Sequence, residues 1–288
     1  MIRSLNLDPM FVPVPFPEIE FNTFKFSGGE TSIKLNNNID YKKILKVVIT
    51  HRIRTGDDII LVMLACDALR LEGIKHFDFV MPYIPYARQD RKCDKGESFS
   101  LKVFAKLINS LGFERVLVVD AHSNMSVGLL DNCQNITNHQ YALQAISETF
   151  KYDQKFHLIS IDSGAAHKID DLAQFIYSGG YENFDIIQCD KKRNPKNGEI
   201  IGFEVHTNDL GGLPCFTVDD ICDGGASFIY AAKAIRNKNG GNQYLFTTHG
   251  IYSKGFTELL DHYNIIFCTN SFSDIPETQY VKQYKIQL

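Results

Sequence analysis

The chain is predicted to be an α/β protein built as two similar, doubly wound domains with mainly parallel sheets. Two observations predict this. Short runs rich in β-branched and aromatic residues recur along all 288 residues, and stretches of helical length alternate with them. The runs are also apolar at nearly every position rather than at every second one. Strands covered on both faces have that pattern, and strands that alternate with helices in this way form parallel sheets.

The elements follow in order. A strand is expected at KVVIT (46–50), then a helix over DDIILVMLACDALRLEG (57–73). FDFVMPY (77–83) is the next strand and SLKVFAKLINSLG (100–112) the next helix, followed by the strand RVLVVDA (115–121). The second half supplies strands at FHLISID (156–162), FDIIQCD (184–190), PCFTVDD (214–220), YLFTTHG (244–250) and IIFCTN (265–270). Its helices are expected over SFIYAAKAIRN (227–237) and FTELLDHY (256–263). The halves share a rhythm, because VVDAHS in the first and TVDDICDGG in the second both end a strand in a polar or acidic loop. The polar stretch NCQNITNHQ marks the boundary, giving domains of 1–140 and 141–288.

Composition narrows the function. Hydrophobic residues are 44% and charged residues 22%, enough for an extensive core. A net charge of -4 leaves no global basic field, so nucleic acid is not expected as a partner. The seven cysteines are odd in number and form no CxxC pair, which argues against a disulfide framework or a structural zinc site. No apolar run approaches the ~20 residues of a membrane span, and the first residues lack a signal-peptide pattern. A cytoplasmic protein with no membrane partner is expected.

In open α/β sheets, ligands sit beyond the carboxyl ends of the strands. Cys215 to Ala232 reads CFTVDDICDGGASFIYAA. A strand ends in Asp219 and Asp220, and Asp223 leads through Gly224, Gly225, Ala226 and Ser227 into a helix. Small residues let backbone N–H groups approach an anion, and the helix start adds positive potential. The acids suit sugar hydroxyls, directly or through hydrated magnesium. The alternative is a tight strand-to-helix turn with acids at its cap. Pro82 to Arg91 (PYIPYARQDR) mixes aromatic, Arg, Gln and Asp groups that can stack on a purine and pair with phosphates, or simply form a polar loop. His122 follows a strand, where a core histidine is the commoner case. Lys191, Lys192 and Arg193 form a basic run that is equally a solvated face. Phe26-Ser27-Gly28-Gly29-Glu30 reads on its own as a turn between strands.

In order and spacing, these segments resemble the ribose-phosphate pyrophosphokinases, a family of kinases of nucleotide biosynthesis in the type I phosphoribosyltransferase group. YxxYARQDR is that family's signature, and Val-Asp-Ala-His, Asp-Lys-Lys-Arg and Thr-His-Gly-Ile-Tyr-Ser are similar to its other landmarks. The resemblance implies a type I phosphoribosyltransferase-like fold and transfer of the pyrophosphoryl group of Mg-ATP to O1 of ribose 5-phosphate. It implies that Arg88, Gln89, Asp90 and His122 contact ATP, that Phe26 and Glu30 read the adenine held by a neighbouring subunit, and that residues 219, 220 and 223–227 hold ribose 5-phosphate. Lys191 and Arg193 become the catalytic cations on a mobile loop, and His122 and Asp162 the groups nearest magnesium. It also implies a homo-oligomer, either dimer or hexamer. The family's sugar-phosphate loop ends Asp-Thr-Gly/Ala-Gly-Thr, so Asp223-Gly224-Gly225-Ala226-Ser227 has one hydroxyl donor fewer. The rival readings are a phosphoribosyltransferase, which has no use for YARQDR or the basic run, and a non-catalytic regulatory homologue.

Overall fold

Each of the eight apolar runs forms a strand. The computed structural model describes residues 1–161, 166–193 and 200–288, and falls into two units: Met1–Ile136 with Lys285–Leu288, and Thr137–Tyr284. In the first unit, β1 (Ile2–Asn6) is followed by a hairpin of β2 (Phe21–Lys25) and β3 (Thr31–Leu35). Then come β4 (Lys46–Thr50), α1 (Gly56–Leu71), β5 (Phe77–Val80), α2 (Ser100–Asn109), β6 (Arg115–Val119), α3 (Asn124–Leu129) and β7 (Cys133–Ile136). The sheet order is β1-β4-β5-β6-β7, and every pairing is parallel.

Local chemistry explains these elements. Thr55 begins α1 with a capping box: its hydroxyl accepts from the Asp58 N–H, and Asp58 accepts from the Thr55 N–H at 2.7 Å. Along α2, Leu101, Phe104, Ala105 and Ile108 are buried at one-face helical spacing. At the amino ends of β4, β5 and β6, fully buried Asp78 accepts from Arg115 Nε at 3.0 Å and forms an ion pair with Lys46 Nζ at 2.8 Å. Lys46 also reaches Glu114 at 2.9 Å. Burial works against the Lys46 ammonium, but Asp78 and Glu114 outweigh it and hold its pKa above the usual lysine range.

The second unit contains α4 (His139–Thr149), β8 (Phe156–Ser160), α5 (Ala166–Ser178), β9 (Phe184–Arg193), β10 (Ile200–Val205), β11 (Cys215–Cys222), α6 (Ala226–Asn237), β12 (Gln243–Gly250), α7 (Thr257–Leu260), β13 (Ile265–Thr269) and β14 (Val281–Tyr284). Its order is β10-β9-β8-β11-β12-β13-β14, with only the β9–β10 pair antiparallel. From β8 the chain adds β9 on one side and β11 on the other. The order therefore reverses between β8 and β11, and a crevice opens beyond the carboxyl ends of such a pair. Phe150 packs on Phe156 with ring centroids 4.5 Å apart, beneath this part of the sheet.

Several elements are absent from the sequence expectation. β7 and β14 are edge strands with partly exposed polar residues, so they carry no continuous apolar signal. α3 and α4 lie in stretches read as loop and boundary, and NCQNITNHQ contributes β7 itself. The basic run was expected on a loop, yet β9 continues through Arg193 because β10 pairs with it. The residues that follow the run, 194–199, lie outside the described residues. Among the described residues, no helix is long and apolar enough to cross a membrane. All seven cysteines are free and five of them are buried; burial pushes the Cys66 thiol up to about 12.

Candidate active site

In the first unit, the loops that leave β5 and β6 run side by side. The Met81 N–H donates to the Leu117 carbonyl at 2.9 Å, and the Val119 N–H to the Pro82 carbonyl at 2.9 Å. Buried Ile84 and Ala87 anchor the first loop, leaving Arg88 and Gln89 exposed and Asp90 half-buried. Tyr86 is left-handed at φ 62°, with its ring tilted on Phe104 at 5.9 Å. A left-handed bulky residue is strained, and such strain collects at functional loops. The second loop has the same property: buried Asp120 has φ 44°, and its N–H donates to the Ile136 carbonyl at 2.7 Å. The Ala121 N–H is taken by Asn135 Oδ1 at 2.9 Å, so His122 emerges exposed from a pinned turn. Arg88, Gln89, Asp90 and His122 thus stand on loops from adjacent strands.

Phe26 and Glu30 are on a different element, the exposed tip of the β2–β3 hairpin. Phe26 meets Phe24 edge-to-face at 5.2 Å, and both rings are largely exposed. The Glu30 carboxylate folds over Gly28, where a Cβ would lie 2.6 Å from Oε2. A side chain at position 28 would displace it.

A further polar group at this edge escaped the sequence reading. Arg52 is 2% exposed, donates from Nε to Asp8 Oδ2 at 2.7 Å, and lies over the Phe11 ring. Burial raises the Asp8 pKa, but Arg52 outweighs it and holds the carboxyl below its usual range. Next to it, His51 Nε2 pairs with Asp58 at 3.2 Å, while His51 Nδ1 and Asn6 Nδ2 are buried and have no hydrogen-bond partner among the described residues. The available signal was positional: His51 and Arg52 directly follow the strand KVVIT.

In the second unit, the chemistry gathers at the end of β11, beside the strand-order reversal. Asp220 is buried and Asp219 half-buried, and the Asp220 N–H donates to Asp219 Oδ1 at 2.9 Å. Burial raises the Asp219 pKa and the charge of Asp220 raises it further; the Lys191 ammonium opposes both. After Asp223 and Gly224, Gly225 takes φ 80° and begins α6, whose first N–H groups lack partners within the helix. Only glycine adopts that conformation without strain.

The basic run lies on β9. Strand alternation puts Asp190 and Lys192 on one face, where Lys192 pairs with Glu204 at 2.8 Å and Asp190 with His206 at 3.0 Å. Lys191 faces the other way, toward Asp219. The Arg193 backbone ends the strand, and its side chain lies outside what is described, as do Asp162 and its neighbours to 165. A groove of about 680 Å³ runs along β10 and the end of α6, lined by Lys192, Glu204, His206 and Lys238, but it includes no residue of the 219–227 turn. His249 is a core residue: its Nδ1 meets Ser271 Oγ at 2.8 Å.

Comparisons with known proteins bear on this arrangement. Residues 14–112 match the family model described as the N-terminal domain of ribose phosphate pyrophosphokinase. That span includes the hairpin and the Pro82–Arg91 loop. A ribose-phosphate pyrophosphokinase of Hyphomonas neptunium is 27% identical over 237 residues, covering 82% of this chain and 73% of the relative. The enzyme of that name from Mycoplasmopsis pulmonis is 28% identical over 265 residues, covering 91% and 79%. The chain is similar to ribose-phosphate pyrophosphokinases over most of its length. A solved structure shares the fold. The crystal structure of phosphoribosylpyrophosphate synthetase from Mycobacterium smegmatis superposes with a TM-score of 0.79 at 19% identity, covering 99% of this chain and 93% of that one.

Proposed function

We infer that the protein is a ribose-phosphate diphosphokinase, which converts ATP and ribose 5-phosphate to AMP and 5-phosphoribosyl 1-diphosphate. The observation that carries this reading is the end of β11, where an acidic pair opposed by Lys191 precedes a glycine turn and a helix start. An anion fits the turn, and sugar hydroxyls fit the acids. A phosphoribosyltransferase would share that turn, but the family signature at Tyr83–Arg91 and the cations of β9 favour the kinase.

In this reading, Arg88, Gln89 and Asp90 bind the nucleotide, with His122 on its phosphates. Ribose 5-phosphate places its phosphate on residues 223–227 and its hydroxyls on Asp219 and Asp220. O1 attacks the β-phosphorus in line and AMP departs, with no covalent enzyme intermediate. Lys191 and Arg193 neutralise charge on the moving oxygens, so positioning and electrostatics supply most of the acceleration.

Magnesium fits the donor set. Among the described residues, no group of three or more His, Cys, Asp or Glu is arranged to hold a metal. Magnesium typically binds through one or two carboxylates, water and substrate phosphates rather than a protein cage. His122 and Asp162 are the proposed contacts, and the ion would neutralise phosphate charge when bound. Phe26 at its exposed tip serves the adenine of a neighbouring copy, in a cytoplasmic dimer or hexamer. Light scattering reporting a monomer at assay concentration would remove that role. The function is tested by AMP release from ATP, dependent on both magnesium and ribose 5-phosphate, with phosphoribosyl diphosphate as co-product. Purified protein that releases no AMP under these conditions refutes it.

A further inference from the structure

We propose that Lys254 is a phosphate-binding residue of the sugar-phosphate turn, supplying by charge the donor that residues 223–227 lack. This rests on the reading of that turn as the ribose 5-phosphate site. Gly224 has no side chain, and the methylenes of Lys254 lie across it: a Cβ at 224 would meet Lys254 Cε at 3.6 Å, Cδ at 3.7 Å and Cγ at 3.9 Å. The ammonium is one bond beyond Cε. It is exposed, and among the described residues it makes no ion pair or hydrogen bond. The nearest acid of the turn is already engaged, because Ser253 Oγ donates to Asp223 Oδ1 at 2.6 Å.

The loop that carries Lys254 is tied to the turn rather than merely near it. The Ile251 and Tyr252 N–H groups donate to the Cys222 carbonyl at 2.9 and 3.1 Å, and the Ser253 N–H to the Asp223 carbonyl at 3.2 Å. Tyr252 is left-handed at φ 46°, and its buried ring holds it there. The hydroxyl meets Thr247 Oγ1 at 2.8 Å, and the ring lies so close to Gly250 that a Cβ there would be 2.2 Å away. A strained residue fixed by burial sets the path of residues 253–255. The Lys254 backbone is thereby set beside the turn, with its methylenes across Gly224, before any anion arrives. Only Ser227 offers a hydroxyl among residues 223–227, and an ammonium is a stronger donor to phosphate than a hydroxyl.

The test measures binding of ribose 5-phosphate and of ribose to the full-length protein by calorimetry. Lys254→Met keeps the methylenes over Gly224 and removes the charge. It should bind ribose 5-phosphate roughly tenfold more weakly, as loss of one charge-assisted contact implies, with ribose unaffected. Its affinity should also fall less steeply with salt. Lys254→Arg should stay within a few-fold of wild type, and adding Gly224→Thr to Lys254→Met should recover part of the loss. If wild type does not prefer the phosphorylated sugar, the reading of the turn falls, and this inference with it. If wild type does prefer it and Lys254→Met binds it equally tightly at the same salt, the role of Lys254 alone is overturned.

Discussion

Adding one methyl group at Gly224 or at Gly225 should have very different consequences, although the two positions are neighbours. Gly225 has φ 80°, and a Cβ there would lie 3.1 to 3.3 Å from the branch atoms of Leu259. A left-handed alanine costs roughly 1–2 kcal/mol, and Leu259 must also give by a few tenths of an ångström. Gly225→Ala should therefore lose about 1–2 kcal/mol. At Gly224 the backbone is not left-handed, and a new Cβ would make only ordinary contact with the Lys254 methylenes. Gly224→Ala should stay within about 0.5 kcal/mol of wild type. Urea denaturation measures both variants. The KM for ribose 5-phosphate shows whether the turn relaxes instead of destabilising the fold, since 1.4 kcal/mol corresponds to about tenfold in affinity. Equal costs for the two substitutions would show that the left-handed conformation of Gly225 does not govern this turn.

Other substitutions test other parts of the molecule. Lys191→Ala and Arg193→Ala should lower kcat by orders of magnitude with little change in ATP binding; an equal loss in both would make them ground-state phosphate contacts. Asp219→Asn with Asp220→Asn should raise the KM for ribose 5-phosphate, and an unchanged KM would remove the pair from the sugar site. Burial and Asp220 raise the Asp219 pKa, so the folded protein binds more protons than the unfolded chain as pH climbs out of the ordinary carboxylate range. Without substrate or magnesium, wild-type stability should then fall over that window, while Asp219→Asn flattens the decline in urea midpoint against pH. Asp78→Ala leaves Arg115 and Lys46 without their buried partner and should cost about 3–5 kcal/mol; a loss under 1 kcal/mol would mean that water replaces the carboxylate.

Legibility of the fold followed burial. β4, β5, β8 and β11 are covered on both faces and read as predominantly apolar runs. The edge strands are not covered in this way: Gln134 and Asn135 of β7 are exposed, so nothing in Cys133–Ile136 marks a strand. The extension of β9 was hidden for another reason. Three consecutive basic residues look like a solvated loop until β10 pairs with them and Glu204 neutralises Lys192 across the hairpin. In the site, residues within one loop were legible together, such as Arg88 with Asp90 and Asp223 with Ser227. The Asp8–Arg52 contact joins residues 44 apart, and no local pattern announces it.

The sequence by itself determined the alternation of buried strand and helix, the glycine turn after an acidic strand end, and the resemblance to ribose-phosphate pyrophosphokinases, because each of these is written in residues adjacent along the chain. Tertiary structure alone decided that Lys191 opposes Asp219, that the sheet order reverses beside β11, and that Lys254 lies over Gly224. Strand pairing and loop packing bring these groups together from distant positions. Their electrostatic coupling depends on separation in space and on the water excluded between them, and neither quantity can be read along the chain.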